Sequence, residues 1–382
     1  MQLGETFPAE EMYGENYGYR SGLNQSMVHH LEGVVNYATS LVDLNDFDTV
    51  LDIGSNDGTL LRAYGSKAKS KIGIDPTAAK FLEFYDSATT VVTDFFTKPN
   101  FDRNSIQKAK IVTSVAMLYD LEDPVGFARE VSGCLADDGV WVAEQSYMPW
   151  MVLTGAYDTI CHEHIEYYSL TSLEFLASQA GLKIVDAEIN GANGGSIRVA
   201  FAHLSSPIVS SANVGKIRQW EVTERITSKN FFADFAKYVE NHGASLRNLL
   251  EEYKSEGQTI VALGASTKGS ILLQNAALTS SHLDFVADVN PFKYGRYMSN
   301  SDLLIAQEPN SLKHVADCVL ILPWHFRETF EAKLEDFLAL GGTVIWPLPA
   351  ITVQDKEGTH TRNHLPPLSQ EALNLLEKTV LL

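Results

Sequence analysis

The chain has 382 residues, enough for two or three domains with substantial cores. Hydrophobic residues make up 45% and charged residues 20%, a globular composition. The net charge of −19 argues against a nucleic-acid-binding surface, so an anionic ligand needs a local pocket of helix N-termini and a few cations.

Three widely separated cysteines, Cys134, Cys161 and Cys318, suggest a reducing, cytoplasmic setting. They exclude a disulfide framework or a thiolate zinc site. The N-terminal stretch lacks the basic and apolar regions of a signal peptide. No apolar run approaches the ~20 residues of a membrane helix, so no membrane partner is expected.

Residues 1–46 read as a lead-in followed by a helix, with Val28, Leu31, Val35, Ala38 and Leu41 at helical spacing. "DTVLDIGSNDGTLLRAYG" is strand, glycine turn, helix. "KSKIGIDP", "TTVVTD", "AKIVTSVAML" and "GVWVAEQSYM" continue the strands, and "DPVGFAREVSGCLADDG" is an intervening helix. Alternation of this kind predicts an α/β domain over 47–205, a mostly parallel sheet with helices on both faces. Residues 206–244 form a helical connection. "KNFFADFAKYVENHGASLRNLLEEYKSEG" is one long amphipathic helix, or two broken near Gly243. "QTIVALGASTKGSILLQNA" opens a second strand–turn–helix series, followed by strands in "LDFVADVNP", "DCVLILPW" and "GGTVIWPLP". Residues 245–382 are therefore expected to be a second, smaller Rossmann-like domain.

The first glycine turn, "LDIGSNDG", differs from a dinucleotide fingerprint. Asp52 ends the strand, Gly54 opens the turn and Gly58 lets the helix approach, but Asn56 stands where G-x-G-x-x-G has its middle glycine. That disfavours a pyrophosphate. A carboxylate before the turn suits a cationic ligand group, and S-adenosylmethionine (SAM) carries an ammonium and a sulfonium and no pyrophosphate. Asp75, 23 residues after Asp52, ends the next strand, where an acid accepts hydrogen bonds from ribose hydroxyls. Asp94 follows the third strand and suits an adenine amino group, with Phe95 or Phe96 against the ring. Three acids at three successive strand ends make SAM the expected cofactor.

"YDTICHEHIEYYSL" places His162, Glu163 and His164 before Tyr167 and Tyr168. In an extended segment His162 and His164 share a face and Glu163 points away. A metal site lacks an evident third ligand and the H-E-x-x-H spacing. A polar cluster holding a loop is a second reading. An acid/base pair is a third: methyl transfer to carbon needs a base near neutral pKa and a group that stabilises an oxyanion, and imidazole beside glutamate and tyrosine has that chemistry.

Together "LDIGSNDGTLL", "GIDP", "EQSYM", "YDTICHEHIEYYSL", "GGSIRV", "ALGASTKG" and "LPWHF" resemble, in order and spacing, the SAM-dependent C-methyltransferases of deoxysugar biosynthesis. The resemblance covers roughly residues 13–350. It implies a SAM domain followed by a second Rossmann-like domain, with a nucleotide-linked 4-keto-6-deoxysugar in the cleft between them. It also implies His164 as the base and Glu163 as its neighbour. Cys161 stands where members often have a tyrosine, so Tyr167, Tyr168 or an N-terminal tyrosine is expected to supply the hydroxyl. "YGENYGYRSG" resembles a segment that reaches the sugar, which makes Tyr13, Tyr17 and Tyr19 candidates. Members commonly begin with a zinc module built on cysteine pairs; here no such pairs occur and no structural zinc is expected.

The second glycine turn, "ALGASTKGS", is not a Walker A loop. Ser266, Thr267 and backbone N–H groups at a helix start suit a diphosphate, with Lys268 adding charge. Ser196 and Arg198 after Gly194–Gly195, Trp324 and His325 in "LPWHF", and Glu144 at the end of "VWVAE" are further substrate-binding candidates. Lys293 and Arg296 offer additional cations. The expected partner is the nucleotide-diphosphate sugar, with no nucleic acid, and the chain is expected to be a monomer or homodimer.

Overall fold

A computed structural model describes residues 1–5, 8–13 and 18–362. Tyr17 lies outside the described residues. Two compact units are formed: Met1–Met148 with His162–Glu224, and Pro149–Cys161 with the described chain from Arg225 onward. Each is built on its own seven-stranded sheet.

The first sheet contains β1 (Thr49–Ile53), β2 (Ser70–Ile74), β3 (Thr89–Val92), β4 (Ala109–Val115), β5 (Leu135–Ser146), β6 (Leu182–Asn190) and β7 (Ser196–His203). Their order is β3-β2-β1-β4-β5-β7-β6. β1 to β5 pair in parallel, whereas β7 runs antiparallel to both β5 and β6. The chain order reverses between β1 and β4. Ligands of open α/β sheets bind beyond the carboxyl ends of the strands at that point.

Both faces are covered, which explains why β1 is buried along its whole length and does not alternate. On one face Leu31, Val34, Val35 and Ala38 of the helix Gln25–Leu41 pack against Val50, Ile111, Val140, Val142 and Ala200. On the neighbouring strand position Trp141 stacks on Phe201 at 4.5 Å, and its indole N–H donates to Ser114 Oγ at 2.9 Å. Each fully buried Val or Leu contributes roughly 1.5–3 kcal/mol.

The second sheet contains β8 (Ile260–Leu263), β9 (Phe285–Asp288), β10 (Ile305–Gln307), β11 (Cys318–Ile321), β12 (Thr343–Trp346), β13 (Thr352–Asp355) and β14 (Gly358–Thr361). Their order is β10-β9-β8-β11-β12-β13-β14. The first five are parallel; β13 and β14 form an antiparallel edge hairpin. Here the order reverses between β8 and β11. Four of these strands follow from the apolar runs in the sequence. β10 is too short, and the fully exposed "GTHT" of β14 too polar, to show such a run.

The helix Lys229–Ser255 is continuous through Gly243. A side chain at Gly243 would bring a Cβ to 2.6 Å from Asn275 O, so this glycine serves a close approach and not a break. In the same unit the His242 ring accepts from Tyr157 OH at Nδ1 (3.0 Å) and donates from Nε2 to Pro347 O (2.7 Å). Burial pushes its pKa down, so this imidazole is neutral and structural.

Gly264 ends β8 with φ +90°, and an added Cβ would lie 2.6 Å from the Pro323 ring. Gly264→Ala is expected to destabilise the protein by about 2 kcal/mol, from left-handed strain and the clash together. Gly215→Ala, on a helix with open space around it, is expected to be neutral or to stabilise by up to about 1 kcal/mol. Thermal denaturation of both variants checks the pair; equal melting temperatures would contradict the assignment.

Candidate active site

The β1 turn is built from left-handed residues: Gly54 at φ +76°, Asn56 at +48° and Gly58 at +73°. A Cβ at Gly58 would meet the Tyr85 ring at 2.7 Å, so only glycine fits there. Tyr85 OH donates to Asn56 O at 2.8 Å, which holds the turn from outside.

The strand-end acids differ in what satisfies them. Asp75 is fully occupied: Oδ1 accepts from Thr77 N and Thr77 Oγ1, both at 2.6 Å, and Oδ2 accepts from Asn56 N at 2.8 Å. It braces the turn itself. Asp52 is buried, and its Oδ1 accepts from the hydroxyl of Thr113, its register partner on β4, at 2.6 Å. Burial, together with the nearby Asp75 charge, raises its pKa to about 7 against the opposing Thr113 hydrogen bond. Asp94 is exposed, accepting from Phe95 N at 2.8 Å and Asn100 Nδ2 at 3.1 Å. Phe95 is half-buried, while Phe96 packs edge-on against Phe127 at 5.4 Å.

Asn56 has a use that the fingerprint comparison does not reveal. Its Oδ1 accepts from Ser21 N at 3.0 Å and its Nδ2 donates to Tyr19 O at 3.1 Å. Asp57 Oδ2 accepts from Gly22 N at 3.0 Å and lies 3.3 Å from Arg20 Nε. The lead-in is thereby fastened across the glycine turn. Arg20 also lies over the Phe84 ring at 4.0 Å.

The His164 segment folds against the loop after β4. His162 and Glu163 form a turn, so the strand alternation expected for the triplet does not apply. His162 is exposed, 4.0 Å from Glu163 Oε1; Glu163 and His164 are half-buried. The His164 ring lies 4.1 Å from that of Tyr119. Glu166 N donates to Tyr119 O at 2.9 Å. Residues 1–3 bridge the same segment on its other side: Leu3 N donates to Ile165 O and Tyr167 N to Met1 O, both at 2.9 Å. Tyr168 is buried, with its hydroxyl 3.5 Å from Leu118 O; burial first, then the charges of Glu166 and Asp120, push its pKa up. Tyr13 OH lies 2.5 Å from Asp120 Oδ2. Tyr119 and Asp120 are therefore neighbours of the predicted tyrosine and histidine. "LYDLEDP" follows the fourth strand, and the strand-end logic applied to Asp52, Asp75 and Asp94 points to Asp120 equally well.

Glu144 and Arg198 are register partners on β5 and β7 and are paired with each other. Glu144 accepts from Arg198 Nε at 2.7 Å, Asn190 Nδ2 at 3.0 Å and His30 Nε2. Burial alone would push its carboxyl up, but the His30 hydrogen bond and the Arg198 charge hold it below the usual range. Arg198 Nη1 also donates to Glu188 at 2.6 Å. Ser196 is buried and donates to Ala192 O at 2.9 Å.

The second unit assembles Ser266, Thr267, Lys268, Trp324 and His325 around the β8–β11 reversal. Ser266 caps the helix Thr267–Asn275, its Oγ accepting from Gly269 N at 3.1 Å. Trp324 Nε1 donates to the buried Asp158 at 2.8 Å. Burial pushes Asp158 up against the attraction of Lys268, and pushes Lys268 down against that of Asp158. His325 is held far below its ordinary pKa by burial and then by Lys268, so its ring is neutral. Lys293 bridges Ala265 O at 2.6 Å and Asp288 at 3.3 Å, while Arg296 is exposed.

Residues 27–187 match the model of a methyltransferase domain, and residues 191–349 match that of the C-methyltransferase C-terminal domain. The chain thus carries a methyltransferase domain followed by a C-methyltransferase C-terminal domain. It is 27% identical over 361 residues to the C-methyltransferase NovU of Streptomyces niveus, covering 94% of this chain and 86% of that one. A tRNA U34 carboxymethyltransferase of Alteromonas mediterranea is 25% identical over 144 residues, 35% of this chain and 42% of that one. Among solved structures, a methyltransferase bound to the Haloferax volcanii Trm112 activator is 16% identical (48% of this chain, 94% of that chain, TM-score 0.38). The O-methyltransferase NcsB1 of neocarzinostatin biosynthesis with S-adenosyl-L-homocysteine is 23% identical (47% and 56%, TM-score 0.35). SAM is the cofactor of this C-methyltransferase. No helix of the described residues is long and apolar enough to cross a membrane.

The donor set around the glycine turn fits SAM. Asp52 is a buried carboxylate whose hydrogen-bond partner is a hydroxyl, which leaves its charge for an ammonium group. If Asp52 meets that ammonium, its proton must leave on binding. SAM affinity is then expected to rise about tenfold per pH unit below about pH 7 and to level off above it, because the cation pairs with the ionised form. Calorimetry across that range checks this; an affinity independent of pH would remove Asp52 from the role, and Asp52→Asn should abolish the dependence.

Proposed function

We propose that this C-methyltransferase methylates a carbon next to the ketone of a nucleotide-linked 4-keto-6-deoxysugar, with His164 as the base. The order and spacing of seven motifs, "LDIGSNDGTLL" to "LPWHF", support the substrate class. The observation that carries the mechanism is the half-buried His164 ring against Tyr119, just beyond the carboxyl end of β4. β4 adjoins the order reversal where such sheets hold their ligands.

A carbon acceptor must first lose a proton. In this reading imidazole removes the α-proton, giving an enolate on the sugar, and Glu163 stands beside it to favour the protonated ring. Tyr13 and Tyr168 are the hydroxyl candidates for the enolate oxygen. The Tyr168 hydroxyl lies 3.5 Å from Leu118 O and that of Tyr13 2.5 Å from Asp120 Oδ2. SAM supplies an electrophilic methyl group to the carbanion carbon. Asp52 meets the ammonium group of that cofactor in this reading, while Asp75 shapes the glycine turn and the lead-in is fastened to it through Asn56 and Asp57; the gain from holding two reactants in register is the largest general contribution. Ser266, Thr267 and Lys268 offer N–H groups, a hydroxyl and a cation for a diphosphate in the second unit.

His164→Ala is expected to bind SAM as the wild type does, but to lose methyl transfer by at least 100-fold and to abolish exchange of the sugar α-hydrogen with deuterated solvent. Mass spectrometry of a panel of nucleotide keto-sugars reads both transfer and exchange. Exchange retained in the variant would remove His164 from the base role. Methylation of a reduced sugar hydroxyl by the wild type would favour transfer to oxygen instead.

A further inference from the structure

Asp120 is the last residue of the turn Leu118–Asp120 that follows β4. One of its oxygens, Oδ2, lies 2.5 Å from Tyr13 OH. The other, Oδ1, is buried and has no hydrogen-bond partner among the described residues. A carboxylate in this position would hold a charged, buried oxygen without a donor from the described residues, which costs several kcal/mol. A carboxylic acid with its proton on Oδ2 leaves only a neutral carbonyl unpaired. Among the described residues, the titratable groups facing Asp120 are Tyr13 from the lead-in and Glu163 and Tyr168 from the His164 segment. The Glu163 charge opposes its ionisation, and burial pushes its pKa well above the carboxylate range.

The two protonation states place the Tyr13 proton differently. An ionised Asp120 takes the Tyr13 O–H as its donor. A protonated Asp120 donates to the Tyr13 oxygen, so the phenol keeps its own O–H for another acceptor. We propose that Asp120 is a protonated positioning residue that directs the Tyr13 hydroxyl away from itself, so that the phenol serves as a hydrogen-bond donor to the acceptor substrate. This rests on the reading of Tyr13 as a group of the reaction site, and it adds a residue and a protonation state to that reading. A neutral acid and a phenol in a dry pocket form a donor for a developing oxyanion without bringing a negative charge to it.

Two measurements test this on the full chain. The first needs no substrate: aspartate labelled with 13C at the side-chain carboxyl is titrated by NMR, and the Asp120 signal is assigned by its loss in Asp120→Asn. The signal is expected to stay in the acid form through neutral pH. Titration near the ordinary value of about 4 would overturn the proposal. The second compares Asp120→Ala with Asp120→Asn, with SAM affinity as the control for folding. Alanine is expected to lower kcat by about 100-fold. Asparagine, whose Nδ2–H reproduces the acid's donation to Tyr13, is expected to recover at least tenfold of that loss. It should also remove the fall in kcat expected of the wild type as rising pH ionises Asp120. Asparagine as impaired as alanine would overturn the proposal. A wild type that methylates no keto-sugar would instead refute the substrate reading, and the titration would still decide the state of Asp120.

Discussion

Burying a carboxylate costs free energy that only donors or cations restore, and this constraint organises the carboxyl edge of the first sheet. Asp75 and Asp57 meet it internally. Each collects backbone N–H groups, and in doing so Asp75 shapes the glycine turn and Asp57 ties down the lead-in. Asp52 and Asp120 do not collect enough. Among the described residues one has a single hydroxyl as donor, the other one phenol and an unpaired oxygen. Both rise toward neutrality in consequence. Acids of the first kind hold structure. Acids of the second kind are the ones a ligand or a bound proton completes.

The same edge shows how a segment without regular secondary structure gains a defined geometry. Residues 161–169 form only isolated bridges. They are held by backbone hydrogen bonds on two sides, to Tyr119 and to residues 1–3, and by the ring contact between His164 and Tyr119. Loop residues placed by such a frame can be as well positioned as residues on a strand, while keeping the partial exposure that proton exchange needs. The N-terminal lead-in has a double part here: its first residues pair with this segment, and residues 19–22 bind the glycine turn.

The second unit repeats the architecture with different chemistry. Its first turn is braced by Asp288 and Lys293 and capped by Ser266. Asp158, Lys268 and His325 form a buried group in which burial disfavours charge on each member. Burial thus disfavours the Lys268 charge, and the neighbouring Asp158 offsets part of that cost.

The strands and helices were legible wherever a local pattern existed. β1 and β8 are short apolar runs before glycine turns, β11 is an apolar run before "LPWHF", and the helix Gln25–Leu41 has its apolar stripe at helical spacing. The family and its cofactor were legible too, because motif order survives in the linear chain. β10 and β14 were not, since their pairing comes from neighbours and not from their own residues. Residue partnerships were hidden for the same reason. Glu144 and Arg198 stand 54 positions apart and read as separate ligand candidates, yet strand register makes them an ion pair. Asn56 looked like a fingerprint lacking its glycine, yet its amide holds the lead-in. A sequence determines which groups carry charge and which local shapes they prefer. Only the tertiary fold decides which charges lose water and which find a partner, because desolvation and hydrogen bonding depend on groups brought together from distant positions.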